Sequence, residues 1–322
     1  MHNISISLML VTLFFTGAAI AAGDYPARAV RVVVPYPSGG GADFVARVFC
    51  KALSDKLGQQ FFIDNRAGAN GNVGSEIVAK SVPSGYTLLA VANTTVTINP
   101  SLYRQMPLDM LRDLAPVSIF ASQPNVLLVH PSLPAKTAKE LVVIAQSRPG
   151  ALDYASAGPG SSSHIAAELF RMVTRINITH VPYKGNGPAL AGLLSGQIPM
   201  MFNNLAPSVS QVKSGRLRAL AVTGEKRSPA APEVPTMAES GYSGALFILW
   251  VGMLAPAGTP LDIVTKLNAE IVAVSKLPEV RERLALEGTE AYVTSPSQMT
   301  EVLRTEMVKW AKVVKAANIT SQ

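Results

Sequence analysis

The chain has 322 residues and a formal net charge of +7, yet charged side chains make up only 15% of it and cysteine occurs once. That length is enough for two lobes with separate cores, and a single cysteine excludes an internal disulfide. No run of Lys and Arg with interleaved aromatics appears, which excludes a nucleic-acid partner, and four histidines, one of them His2, are too few for a zinc cluster, so no metal is expected.

Leu8 to Ala22 is apolar or small throughout and ends in Ala19-Ile20-Ala21-Ala22. It reads as a secretory signal peptide over residues 1–22, too short to span a bilayer, and places the mature chain in the periplasm. Val30 to Pro35 then reads as a buried strand running into Tyr36-Pro37-Ser38-Gly39-Gly40-Gly41-Ala42-Asp43. A helix follows from about Ala42 to Leu57, with Phe44, Val45, Val48, Phe49, Leu53 and Leu57 at helical spacing. Cys50 sits on its apolar side and is expected buried and inert.

A helix start leaves backbone N–H groups unpaired at the positive end of the macrodipole, and glycines let an anion approach them. No lysine follows as a P-loop requires, and the spacing is not Gly-x-Gly-x-x-Gly, so no nucleotide cofactor is expected. A small carboxylate held by main-chain N–H groups and Ser38 fits the loop. Asp43 is read as ordering the loop in the first helical turn, or as pairing with a cationic part of a ligand.

Gln60 to Asp64 is a second strand, Asn65 to Asn72 a glycine- and asparagine-rich loop, Val73 to Ser81 a second helix and Thr87 to Ala92 a third strand. Strands alternating with helices predict parallel sheets. Asn93 and Thr94 stand at the carboxyl end of the third strand, where ligands of open α/β sheets bind. Val117 to Phe120 and Val126 to Val129, separated by Gln123-Pro124-Asn125, read as a strand pair passing into a second lobe. There the pattern restarts with a helix from Thr137, a strand near Leu152 to Ala155, and the turn Ser156-Ala157-Gly158-Pro159-Gly160-Ser161-Ser162-Ser163-His164.

That turn opens another helix and is a second anion-binding start. Ala157, Gly158, Gly160, Ser161, Ser162 and His164 are therefore candidate ligand contacts beside Tyr36, Ser38, Gly39, Gly40, Gly41, Asp43, Asn93, Thr94 and Asn203. A serine hydrolase using Ser161 to Ser163 with His164 is the alternative, although no Gly-x-Ser-x-Gly elbow is present. His180 to Tyr183 and Met200 to Phe202 are further strands, and Lys184-Gly185-Asn186-Gly187-Pro188 opens a helix ending near Ser195. Arg66, Arg171 and Arg175 are candidates to neutralise the far end of a ligand, and Trp250 to cement the hinge. Leu217 to Thr223, Phe247 to Leu254 and three tail helices complete the chain.

Pro35 to Asp43, Asp64 to Asn72, Gly85-Tyr86-Thr87-Leu88, His180 to Gly185, Arg218 to Thr223, Val234 to Glu239 and Ala255 to Pro260 together resemble the Bug family, the periplasmic solute-binding receptors of tripartite tricarboxylate transporters. Pro199 and Ser84 depart from its usual pattern. The resemblance implies a two-lobe periplasmic-binding-protein fold (Venus flytrap, type II), each lobe a mainly parallel α/β sheet flanked by helices. Lobe 1 is expected over 23–122, lobe 2 over 123–246, and a return segment with C-terminal helices completing lobe 1 over 247–322. It also implies a monomer without catalytic residues or cofactors that binds a small organic carboxylate between the lobes and delivers it to a membrane permease, or acts as a solute sensor.

Overall fold

The computed structural model describes residues 25–320, so the expected signal peptide lies outside the described residues. In chain order the first lobe contains β1 (Val30–Val34), α1 (Gly41–Leu57), β2 (Phe61–Asn65), α2 (Asn72–Ala79) and β3 (Thr87–Ala92). A π-helical turn (Thr94–Ile98) and the short α3 (Asn99–Leu102) follow. β1 pairs in parallel with both β2 and β3. Its valines are buried on both faces, as expected of a parallel strand covered by helices on each side. Val32 and Val34 face α1 with Phe49 and Leu53, while Val33 faces the opposite layer with Val78. Each fully buried side chain of this size contributes about 1.5–3 kcal/mol.

β4 (Leu114–Val129) is one continuous strand of 16 residues, where the apolar pattern predicts two strands broken at Gln123-Pro124-Asn125. Pro124 is accommodated because the strand changes partners there. Up to Pro124 it pairs antiparallel with β9 (Ile248–Pro256), and from Asn125 onward with β7 (Met200–Asn204) and β8 (Arg218–Val222). Gln123 and Asn125 are buried rather than turn residues. β4 thus carries the chain from the first sheet into the second.

The second lobe repeats the arrangement with α4 (Ala138–Ser147), β5 (Asp153–Ser156), α5 (Ser162–Thr174), β6 (Thr179–Pro182) and α6 (Asn186–Leu194), then β7, α7 (Val209–Lys213) and β8. β5 is parallel to β6 and β7, as β1 is to β2 and β3. Both sheets are therefore mixed: three parallel strands joined to antiparallel ones, with β4 entering the second sheet from the first lobe and β9 the first sheet from the second. β9 returns to pair antiparallel with β3. α8 (Leu261–Val274), α9 (Pro278–Leu286), β10 (Glu290–Ala291) and α10 (Pro296–Ala316) follow.

α10 starts with a capping box between Ser295 and Gln298 and with Pro296 at its first position. Met299 and Leu303 pack on the first-lobe layer around Val33, whereas Trp310 and Val314 belong to the core containing Leu141 and Phe170 of the second lobe. Between them, Glu306 accepts hydrogen bonds from Trp250 Nε1 at 3.0 Å, Trp310 Nε1 at 3.3 Å and Thr97 Oγ1 at 3.2 Å. α10 is a strap across both cores, and Trp250 is locked to it behind the cleft. Among the described residues no helix is long and apolar enough to cross a membrane.

Candidate functional site

A cavity of about 740 Å³ lies between the lobes, at the carboxyl ends of the parallel strands. Four strand-to-helix loops form it in matched pairs: Pro35 to Gly41 after β1, Ala67 to Gly71 after β2, Ala157 to Ser162 after β5 and Lys184 to Pro188 after β6. This is where open α/β sheets place ligands, because the helix starts aim unpaired N–H groups at one point. Of the residues anticipated from sequence, Tyr36, Ser38, Gly39, Gly40, Gly41, Thr94, Ala157, Ser161, Ser162 and Asn203 line the cavity.

The other five lie behind the wall. Asp43 is 2% exposed; its carboxylate accepts from Gly39 N–H at 2.9 Å, Arg47 Nε at 2.9 Å and Asn65 Nδ2 at 2.9 Å. Burial pushes its carboxyl up, but these bonds prevail and hold it below the ordinary carboxylate range. Asp43 therefore fixes the first loop and does not line the cavity. Asn93 donates to Ile248 O at 3.0 Å and ties β3 to β9.

Gly158 and Gly160 shape the second turn with left-handed φ of +117° and +75°. His164 Nδ1 accepts from Gly160 N–H at 3.1 Å. Burial, with help from His180 and Arg171, pushes the His164 imidazolium down to about 3, so the ring is neutral. Its acceptor nitrogen holds the loop and activates no serine. The close serine–histidine pair is instead Ser156 Oγ with His180 Nε2 at 2.6 Å, and that serine is fully buried, outside the cavity wall. Among the described residues the cavity wall offers no nucleophile paired with a base.

Tyr36 links the loops of the first lobe. Ala92 N–H donates to Tyr36 Oη at 3.1 Å, and Tyr36 Oη meets Thr95 Oγ1 at 2.5 Å. Thr95 Oγ1 in turn donates to Asn70 O at 2.7 Å. Burial pushes the Tyr36 phenol up to about 12 against these bonds, so it remains a neutral brace. In the second lobe Asn204 Oδ1 accepts from Ser162 Oγ at 3.3 Å and Asn186 Nδ2 at 3.2 Å, joining the loops after β5 and β6 at the end of β7. A Cβ on Gly41 would lie 2.5 Å from Gln123 Nε2 and 2.7 Å from Asn204 Nδ2, so a larger residue there would push the ends of both amide side chains aside.

Arg66, Arg171 and Arg175 do not line the cavity. Arg66 pairs with Asp64 and Arg171 with Glu168. Asn204, anticipated with Asn203 as a neutral donor at the strand end, also lines it, whereas Asn70, Lys184, Asn186 and Leu249 line it without having been singled out as contacts. The available signal was the repetition itself, since the loops after β2 and β6 are Gly/Asn-rich helix starts like those after β1 and β5. Among the described residues Lys184 is the one charged side chain on the wall and no carboxylate lines it. A cavity rich in main-chain donors, with one cation and no acid, is suited to a small anion.

A family model described as "Tripartite tricarboxylate transporter family receptor" matches residues 45–319. Protein BugT of Bordetella pertussis is 36% identical over 318 residues, covering 97% of this chain and 98% of that protein. Two solved structures have closely similar folds. Rpa4515 of R. palustris with adipate gives a TM-score of 0.88 at 38% identity, covering 92% of this chain and 99% of that one. MatC of Rhodopseudomonas palustris with bound malate gives 0.83 at 32% identity, covering 90% and 100%. The fold is that of the periplasmic solute-binding proteins, and the chain belongs to the tripartite tricarboxylate transporter receptor family of Bug-type proteins.

Proposed function

We propose that this chain is a periplasmic receptor, made with a signal peptide over residues 1–22, that captures a small carboxylate between its lobes and delivers it to a tripartite tricarboxylate transporter permease. The observation that carries this reading is the convergence of four strand-to-helix loops on a cavity whose wall holds one cation and, among the described residues, no acid. The ligand carboxylate accepts main-chain N–H groups at the starts of α1 and α5. The lobes close about the crossings at Pro124/Asn125 and before Ile248, with residues 23–122 and 247–322 forming one lobe and 123–246 the other. The protein acts as a monomer. Relatives crystallised with adipate and malate support carboxylates as the cargo.

Each charge-assisted hydrogen bond to a buried carboxylate contributes about 1.5–3 kcal/mol, so three or four support micromolar affinity after association costs. The test is a thermal-shift screen of protein unfolded and refolded to strip ligand, against mono-, di- and tricarboxylates, acidic amino acids and aromatic acids. A ligand at one hundred times its Kd adds about 2.7 kcal/mol and raises Tm by a few degrees. A folded protein that responds to none of these acids would overturn the reading. Uptake of the identified acid by cells lacking the gene for this chain separates transport from sensing: undiminished uptake assigns the receptor to sensing.

A further inference from the structure

We propose that Asn204 is the side chain through which the second lobe senses a carboxylate seated at the start of α1, so that the lobes are drawn together only when an anion lies there. The inference rests on the reading of the cavity as a carboxylate receptor and adds a residue that couples capture to closure. The two helix starts differ in what they leave free. In the turn before α5, side chains take up most of the donors: Ser163 Oγ accepts from Ala157 N–H at 2.9 Å, Ser156 Oγ from Gly158 N–H at 3.0 Å and His164 Nδ1 from Gly160 N–H at 3.1 Å. Ser161 caps that helix by accepting from His164 N–H. At α1 the N-cap is Gly40, which brings no side chain, and the N–H groups of Gly40, Gly41 and Ala42 meet the cavity without an acceptor among the described residues.

Asn204 faces that uncapped start from the other lobe. It stands at the end of β7, lines the cavity and is 2% exposed. Its Oδ1 is committed to Ser162 and Asn186, which turns the amide nitrogen the opposite way. There Nδ2 lies 2.7 Å from the position that a Cβ on Gly41 would take, and Gln123 Nε2, from β4, lies 2.5 Å from the same position. Neither nitrogen has an acceptor among the described residues, although both side chains are buried. Two amide donors thus press on the positive end of a helix whose own donors are free, an arrangement that is unfavourable by itself. A carboxylate oxygen placed beside Gly41 accepts from the helix start and from Asn204 together and reverses the sign. A ligand shifts a conformational equilibrium only through contacts it makes in one of the two states. The bond from Asn204 is such a contact, because closed lobes supply it and separated lobes do not.

The test combines small-angle X-ray scattering, calorimetry and stopped-flow fluorescence on ligand-stripped wild type, Asn204→Asp and Asn204→Ala, with adipate, malate and the other acids of the thermal-shift screen as probes. Asn204→Asp keeps an acceptor for Ser162 and Asn186 but sets a carboxylate against the start of α1, where it stands in for the ligand. Without any acid the wild type should be open, with a radius of gyration that falls when the tightest probe is added. Asn204→Asp should be compact from the outset and bind that acid about a hundredfold more weakly, since its own carboxylate occupies the place. Asn204→Ala should weaken binding by about tenfold to a hundredfold through faster dissociation, with association little changed, because the first lobe still captures the acid. A ligand-free Asn204→Asp as extended as the wild type, a wild type already compact without acid, or an Asn204→Ala that releases the acid at the wild-type rate would overturn the proposal and leave the receptor reading intact. Absence of binding by any acid in the wild type would instead remove the receptor reading, while the ligand-free comparison with Asn204→Asp still decides the role of Asn204. Thermal melts verify folding, and the isosteric Asp variant carries the test if Asn204→Ala melts early.

Discussion

His164 and His180 lie face to face under the second helix-start loop, ring centres 4.0 Å apart and 9° from parallel, with Tyr154 stacked on His180 at 4.9 Å. Burial holds both imidazoles below their ordinary range; Glu168, which accepts from Tyr154 and pairs with Arg171, pulls His180 the other way. A histidine whose folded pKa is depressed leaves the unfolded chain to take up the proton first. Its contribution is therefore complete above about pH 6.5 and falls as the pH drops toward 3. Urea unfolding should show stability declining below pH 6.5 by up to about 1.4 kcal/mol per pH unit for each ring, and His164→Gln should flatten that slope.

Asp43 is the anchor of the first loop, so Asp43→Ala should cost about 3 kcal/mol by leaving Gly39 N–H and Asn65 without their acceptor. Its carboxyl is depressed in the folded state, so the contribution is present above about pH 4 and lost as the pH falls further. Denaturant melts of the wild type and variant should converge at acid pH. Carboxylate affinity should weaken in the variant even where it is still folded.

Gly40 and Gly41 are neighbours with opposite tolerances. Gly40 has an ordinary φ of −79° and a Cβ there would meet only Pro37 O at 3.8 Å, so Gly40→Leu should fold and fill the cavity, reducing affinity at least a hundredfold in calorimetry. Gly41→Ala forces the Gln123 and Asn204 amides aside and should cost about 1–3 kcal/mol before any ligand is added.

Trp310 is 2% exposed, meets Phe247 edge-on at 5.4 Å and donates to Glu306. Trp310→Ala should cost about 3–5 kcal/mol. Because α10 belongs to both cores, calorimetry should show a single transition lowered as a whole. Two separated transitions in the wild type would refute the shared-core role.

Much of this architecture is readable from residue order. The valine run of β1 and the glycine turn into α1 identify a buried parallel strand opening a helix, and the Ser156 to His164 turn repeats it. β4 escaped because Pro124 between two polar residues looks like a break; only the partner strands from both lobes show that the proline sits where pairing changes sides. The π-helical turn after β3 carries Thr94, Thr95 and Thr97, residues without helical preference, and is held by Tyr36, Asn70 and Glu306, which are remote in sequence. His164 and Asp43 were legible as loop residues, but whether such side chains face a ligand or brace the backbone depends on which way each helix start is turned.

The helix-start loops after β1 and β5 meet the cavity largely through glycine, alanine and serine. Peptide N–H groups survive every substitution except proline, so recognition of a carboxylate through them cannot drift away residue by residue. On the proposed reading, a change of cargo would have to act through side chains elsewhere on the wall, such as Asn186, Leu190 and Leu249, while the glycine turns stay as they are. Copies of such a chain could then diverge to different acids without altering the loops that mark the family.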